Sequence, residues 1–232
     1  MIPRPVRIIP VRIIALLALA SLSIAASPPH PNWNATVTQG PDQAYTLGNP
    51  DAKVKLTEYV SYTCPHCGDF HKKADTVLRL TYIPQGKLSV TVQQVLRNPV
   101  DLTVAMLTNC GDPKLFFARH NGFMGTQDQW LSKLNSFSAA QTARWSNGPV
   151  PTRLRAIAAD FDFYKIMSRW NYSRTQVDQC LADAAVMKAV TGQTQAAMAA
   201  GVQGTPSFAL NGELLTDTHD WEALAKQIDE KL

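Results

Sequence analysis

Long hydrophobic runs are missing from this chain. Its one sustained apolar stretch, Ile13 to Ile24, is about 12 residues, whereas a bilayer span needs roughly 20. Cysteine is sparse: four in 232 residues, too few for a small fold stapled by disulfides. There is no glycine-rich phosphate loop, no Ser/His/Asp arrangement of a hydrolase, no internal repeat and no low-complexity tract. These absences set aside a multispan membrane protein, a P-loop nucleotide enzyme and a repeat scaffold.

What is present begins with a targeting signal. Arg4, Arg7 and Arg12 form a basic lead, the short apolar run follows, and Ser23-Ile24-Ala25 closes it with small residues. This pattern predicts a signal peptide over 1–25, cleavage after Ala25 and export to the periplasm; an uncleaved N-terminal anchor is the alternative. Losing those three arginines from 22 basic residues, against 18 acidic ones, leaves a net charge near +1 rather than +4. The basicity of the full chain therefore carries no argument for nucleic acid.

The densest chemistry lies at Cys64-Pro65-His66-Cys67. It follows the β-prone run Val54 to Val60 and precedes the helix-compatible stretch Gly68 to Ala74. Two cysteines three apart at a strand-to-helix junction put both sulfurs on the first helical turn. Unpaired N–H groups and the positive end of the helix dipole favour a thiolate there. The motif reads as a redox-active dithiol that needs no other cofactor. The even cysteine count leaves Cys110 and Cys180 for each other as a structural disulfide, with two buried free thiols as the alternative.

Along the chain, residues 26–45 are proline-rich and read as an extended lead-in. A strand over 54–60, a helix from Cys64 to about Tyr82 and a strand over 88–95 predict a right-handed βαβ unit within 46–99. From 100 to 200 apolar residues recur at helical spacing, as at Leu102, Ala105, Met106 and Cys110 or Leu154, Ile157 and Ala158. Gly148-Pro149-Val150-Pro151 marks a helix boundary, and Trp130, Trp145 and Trp170 read as packing residues. Residues 201–232 return to sheet: Ser207 to Leu210, a turn at Asn211-Gly212, Glu213 to Leu215, then a helix from Trp221 with Asp220 as N-cap. The order is βαβ, helical block, ββα.

Three further features bear on the dithiol. Pro206, after Gly204-Thr205, starts the returning strand; a cis bond would bring the Thr205 backbone beside the sulfurs, while an ordinary trans proline is the plainer reading. Glu58 interrupts an apolar strand and is placed to take the proton of Cys67, unless it faces solvent like Lys55. His66, unless a solvated turn residue, stabilises the Cys64 thiolate and makes the disulfide more oxidising.

Cys64-Pro65-His66-Cys67, Glu58 six residues earlier, and Thr205-Pro206 together resemble the DsbA family of exported thiol:disulfide oxidoreductases over roughly 45–232. The resemblance implies an α/β thioredoxin fold with an inserted α-helical domain. It implies Cys64 as exposed nucleophile, Cys67 as buried partner, a cis-Pro206, and Thr205 offering its backbone to substrate. Cys110 and Cys180 resemble a second, non-catalytic disulfide found in a subgroup familiar in α-proteobacteria. The implied partners are folding secreted proteins with free cysteines, and a quinone-linked membrane re-oxidant. Thr205 stands where the family's strongest oxidases often carry valine, so an isomerase or reductase is the main alternative. Against it, the lead-in is too short and proline-rich for an oligomerisation segment, and a monomer is expected. Two other readings are weighed: a zinc site from Cys64, Cys67 and His71, and a chaperone surface around Tyr62 and Phe70.

Overall fold

A strand as apolar as Val54–Val60 belongs in the middle of a sheet, where both of its faces are covered. The computed structural model of the chain places it there; it describes residues 1–3 and 31–232. The expected signal peptide and its cleavage point after Ala25 thus lie, past Pro3, outside the described residues. The folded unit is Asn32–Leu232. Its six strands are β1 (Val37–Gln39), β2 (Tyr45–Gly48), β3 (Val54–Val60), β4 (Leu88–Gln94), β5 (Ser207–Leu210) and β6 (Glu213–Leu214). They lie in the order β1-β2-β4-β3-β5-β6. β3 runs parallel to β4 and antiparallel to β5, with Glu58 opposite Val92 on one side and Phe208 on the other.

The 26–45 segment is more than a lead-in. Val37–Gln39 pairs with Tyr45–Gly48, which in turn pairs with β4, so the sheet gains two antiparallel strands at that edge. Both are short and polar in part, and their pairing is non-local; nothing in the local pattern announces them.

Helix α1 (Pro65–Val77) crosses over from β3 to β4. Pro65 starts it, where a missing N–H costs nothing, and Cys64 is its extended N-cap residue. A π-helical turn over Leu78–Tyr82 and a short 3₁₀ turn carry it to Gly86, whose φ of 69° ends it. The helical block follows as α2 (Pro99–Thr108), α3 (Phe116–Met124), α4 (Gln127–Leu131), α5 (Ala139–Ala143), α6 (Val150–Asp160), α7 (Phe163–Met167), α8 (Arg174–Cys180) and α9 (Ala184–Ala199). Phe123, Trp130, Phe161 and Phe163 are buried there, in edge-on and stacked pairs 5.2–5.9 Å apart. The last helix is α10 (Trp221–Lys231), and the Asp220 carboxylate caps it by accepting from the Ala223 N–H at 2.8 Å. Among the described residues no helix is long and apolar enough to cross a membrane.

Cys110 and Cys180 are joined as a disulfide, with their Cα atoms 5.4 Å apart, linking the end of α2 to the end of α8. Beside it Arg119, fully buried, has no carboxylate partner among the described residues. It donates to the Thr108 carbonyl at 2.9 Å and the Asp112 carbonyl at 3.0 Å instead. The Thr108 carbonyl closes the last turn of α2, at the negative end of the helix dipole, which favours a cation there.

Candidate active site: a dithiol at a helix N-terminus

The two cysteines of α1 are both reduced and both shielded, Cys64 at 3% exposure and Cys67 at 1%. The Thr205–Pro206 bond is cis, and the Thr205 carbonyl accepts from the Cys64 thiol at 3.1 Å. The chain thus brings residues 141 apart in sequence into contact at the mouth of the site.

The electrostatics of the two sulfurs diverge. A hydrogen bond from the Cys67 thiol outweighs burial and lowers Cys64 from an ordinary 9.0 to about 5. The Thr205 hydroxyl, the Cys67 N–H and the Arg97 guanidinium act in the same sense. Cys67 moves the other way, raised well above 9.0 by burial and then by the neighbouring Cys64 sulfur. One proton is shared by the pair across the neutral range, and the anion sits on Cys64. Buried with no other partner among the described residues, the Thr205 hydroxyl is left to the Cys64 sulfur. His66 is exposed, lines the groove beside Cys64 and makes no hydrogen bond to it.

Groups behind the sulfurs, outside the CPHC motif, hold this geometry. The buried Asp101 carboxylate accepts from the Ser61 hydroxyl at 2.9 Å, the Thr63 N–H at 2.9 Å, the Thr63 hydroxyl at 2.8 Å and the Arg97 N–H at 3.0 Å. It ties the loop before Cys64 to the loop after β4. An aspartate inside the apolar run Val100 to Leu107 was the available signal. Gln127, reaching over from α4, donates one amide nitrogen to the carbonyls of Tyr62 at 2.8 Å and Cys64 at 2.9 Å. A side chain at position 68 would collide with that amide, which accounts for Gly68. No sequence pattern marks Gln127.

Glu58 is buried at 6% exposure, on the α1 side of the sheet, and the solvent-facing alternative is corrected. Lys55 lies three residues away and therefore on the opposite face of the strand; Glu58 shares its face with Leu56 and Val60. Burial, reinforced by Asp75 and partly offset by Arg79, pushes its carboxyl up to about 8. It lines a cavity of about 20 Å³ with His71, Asp75, Arg79, His120 and Asn121, room for about one water. A carboxyl that exchanges a proton near neutrality, beside a cavity with room for a water, is suited to accept and pass on a proton.

His71 lines that cavity, and among the described residues no His, Cys, Asp and Glu cluster is placed to hold a metal ion. Tyr62 and Phe70, the centre of the chaperone reading, are buried at 1% and 4% and form no surface. Tyr62 instead bonds to His120 Nδ1 at 2.9 Å, and the Phe70 ring packs against Phe208 with centroids 4.6 Å apart.

The split between the two thiols has a measurable signature. Thiolate absorbance or alkylation of the reduced protein is expected to titrate with a midpoint near pH 5. Because the folded value lies below the unfolded one, Cys64 stabilises the folded reduced protein increasingly as pH rises from about 5 to about 9. That contribution is lost as pH falls through 5. Cys67, raised, acts oppositely above about pH 9. Between those limits reduction takes up one proton per two electrons, so the midpoint potential should fall by about 30 mV per pH unit, steepening to about 59 mV below pH 5. A single midpoint near pH 9 with no change of slope would contradict the asymmetry.

Three comparisons bear on this geometry. The thioredoxin family profile matches residues 41–230. The crystal structure of a protein-disulfide isomerase from Novosphingobium aromaticivorans is 43% identical with a TM-score of 0.77, covering 80% of this chain and 95% of that one. The crystal structure of Wolbachia pipientis alpha-DsbA1 is 19% identical with a TM-score of 0.63, covering 83% and 92%, a likeness of fold. A Rickettsia prowazekii protein provisionally named a protein-disulfide oxidoreductase is 28% identical over 193 residues, 82% of this chain; the chain spans only 62% of that relative's length. With the CPHC motif at the start of α1, the cis proline facing it and the helical block between β4 and β5, the chain belongs to the thioredoxin family and shares the fold of the DsbA structure.

Proposed function

We propose that this protein is an exported thiol:disulfide oxidoreductase that donates its Cys64–Cys67 disulfide to folding proteins with free cysteines. A substrate thiolate attacks the Cys64 sulfur of the oxidised enzyme. The Cys64–Cys67 bond breaks, a mixed disulfide forms, and Cys67 leaves as a thiolate that takes up a proton. The substrate's second thiolate then attacks its own disulfide-bonded sulfur and Cys64 leaves. The substrate has lost two electrons, and the enzyme holds them as a dithiol. Turnover then needs an oxidant, for which a quinone-linked membrane protein is the proposed partner. Export rests on the basic and apolar N-terminal pattern, and the Cys110–Cys180 disulfide suits an oxidising compartment.

The observation that carries the reading is the depressed Cys64 thiol. A stabilised thiolate is a better leaving group and stabilises the reduced form, which makes the disulfide an oxidant. The opposite direction, isomerisation or reduction, is favoured by one observation, the likeness to the N. aromaticivorans protein-disulfide isomerase.

Equilibration with glutathione at pH 7 separates the two. Thioredoxin, with a cysteine pKa of about 7, has a potential of about −270 mV. Lowering that pKa to about 5 adds roughly 50 mV at pH 7 through the thiolate alone, at about 30 mV per tenfold change. A value of about −220 mV or higher is expected of a disulfide donor. A value at or below that of thioredoxin would place the protein with the reductases.

A further inference from the structure

Cys64 opens onto a groove of about 340 Å³ between the cis-proline loop, the loop after β4 and the end of α9. Val95, Ala197 and Val202 give it apolar walls, and Met198 stands at its edge, 62% exposed. Arg97 is its one permanently charged lining residue, and no carboxylate lines it. The Arg97 side chain is exposed, and its guanidinium makes no hydrogen bond or ion pair with the described residues. The nearest acid in the sequence, Asp101, is engaged elsewhere: its oxygens accept from Ser61, Thr63 and the Arg97 N–H.

The loop that carries this cation is fixed at both neighbouring backbone positions. The Leu96 N–H donates to the Thr194 hydroxyl at 3.0 Å and the Arg97 N–H to Asp101 at 3.0 Å. An unneutralised guanidinium carried on a fixed stretch of backbone at the wall of a partly apolar groove is a partner for an anion. Within the groove it stands beside the Cys64 sulfur. In the oxidised enzyme, the form that meets a substrate, that sulfur carries no charge, so the cation faces the incoming chain alone.

We propose that Arg97 makes this groove select cysteine-containing segments that carry a carboxylate side chain beside the reacting cysteine. The inference rests on the oxidoreductase reading and adds a substrate class to it: acidic, partly apolar segments ahead of basic ones. The chemistry is the first exchange step. The peptide thiolate forms a bond to Cys64, the Cys64–Cys67 bond breaks, and Cys67 takes the electron pair and then a proton.

Two single-cysteine peptides test this, identical except for glutamates or lysines flanking the cysteine. Each reduces the oxidised full chain, and each rate is divided by that peptide's rate with a small aromatic disulfide, which cancels its own thiol pKa. The Glu peptide should be favoured about tenfold at low salt, with the ratio shrinking toward one in about 1 M NaCl as screening takes over. R97K should keep the preference, R97Q should bring the ratio near one, and R97E should invert it. A ratio near one in the unaltered protein, or the same ratio in R97Q and R97E as in the unaltered protein, overturns the proposal and leaves the oxidoreductase reading standing. No reaction with either peptide overturns both.

Discussion

Serine in place of Cys64 is expected to abolish thiol–disulfide exchange, while serine in place of Cys67 leaves the first step running and traps substrates as mixed disulfides through Cys64. Both sulfurs are shielded, but only Cys64 lines the groove and only it carries the thiolate. Cys67 lies at 1% exposure with its thiol raised well above 9.0, and no substrate sulfur approaches it directly. The magnitudes show where the low Cys64 pKa matters. At pH 7 about 99% of Cys64 is thiolate, roughly 30 times the fraction of a cysteine with pKa 8.5. A thiolate 3.5 units less basic is intrinsically slower by about 40-fold at a Brønsted slope near 0.45. In attack the two effects nearly cancel at neutral pH, and the gain falls on departure, when a substrate thiol expels Cys64. At pH 5 the balance tips, and Cys64 should react about 40 times faster than an ordinary cysteine. Non-reducing gels and intact mass of the two variants, incubated with a reduced client, decide the matter. A Cys64→Ser protein that still oxidises clients would assign the chemistry elsewhere.

Removing the second disulfide by the double change Cys110→Ser and Cys180→Ser is expected to cost about 4 kcal/mol of folding stability. The bond closes a loop of 70 residues, and freeing it restores chain entropy to the unfolded state. For a domain of this size that corresponds to a fall in Tm of roughly 8–16 °C. The folded state has other ties at the same place: Tyr172 donates its hydroxyl to the Cys110 carbonyl at 2.9 Å, and Arg119 binds the Thr108 and Asp112 carbonyls. These should preserve the α2–α8 junction, so the Cys64 titration midpoint stays in place while the denaturation midpoint falls. A loss below about 1 kcal/mol in denaturant titration would show that the Arg119 cluster holds the junction unaided.

The parts of the fold that were legible are those whose signal is local. The βαβ unit of β3, α1 and β4 follows from an apolar strand, a proline-started helix and a second β-branched run. The helical block follows from spacing, and the β5–β6 hairpin from Asn211-Gly212, with φ of 53° and 85°. β1 and β2 were not legible, because a three-residue strand beside prolines is defined by its partner. At the site, Cys64, Cys67 and Thr205-Pro206 were visible as motifs. Arg97, Gln127 and Asp101 were not, since each acts through a neighbour 30 or more residues away.

Residue type and spacing by themselves determined the chemistry on offer: two cysteines on one helical turn, a carboxylate in the adjoining apolar strand, and a proline at the head of the returning one. Only the tertiary structure decided how that chemistry is divided. It buries Cys67, sets the Thr205 hydroxyl and Arg97 beside Cys64, and closes Glu58 into a cavity with His71 and His120. A pKa depends on desolvation and on charges within a few ångströms, and those neighbours are assembled by the sheet and the helical block rather than by the order of the chain.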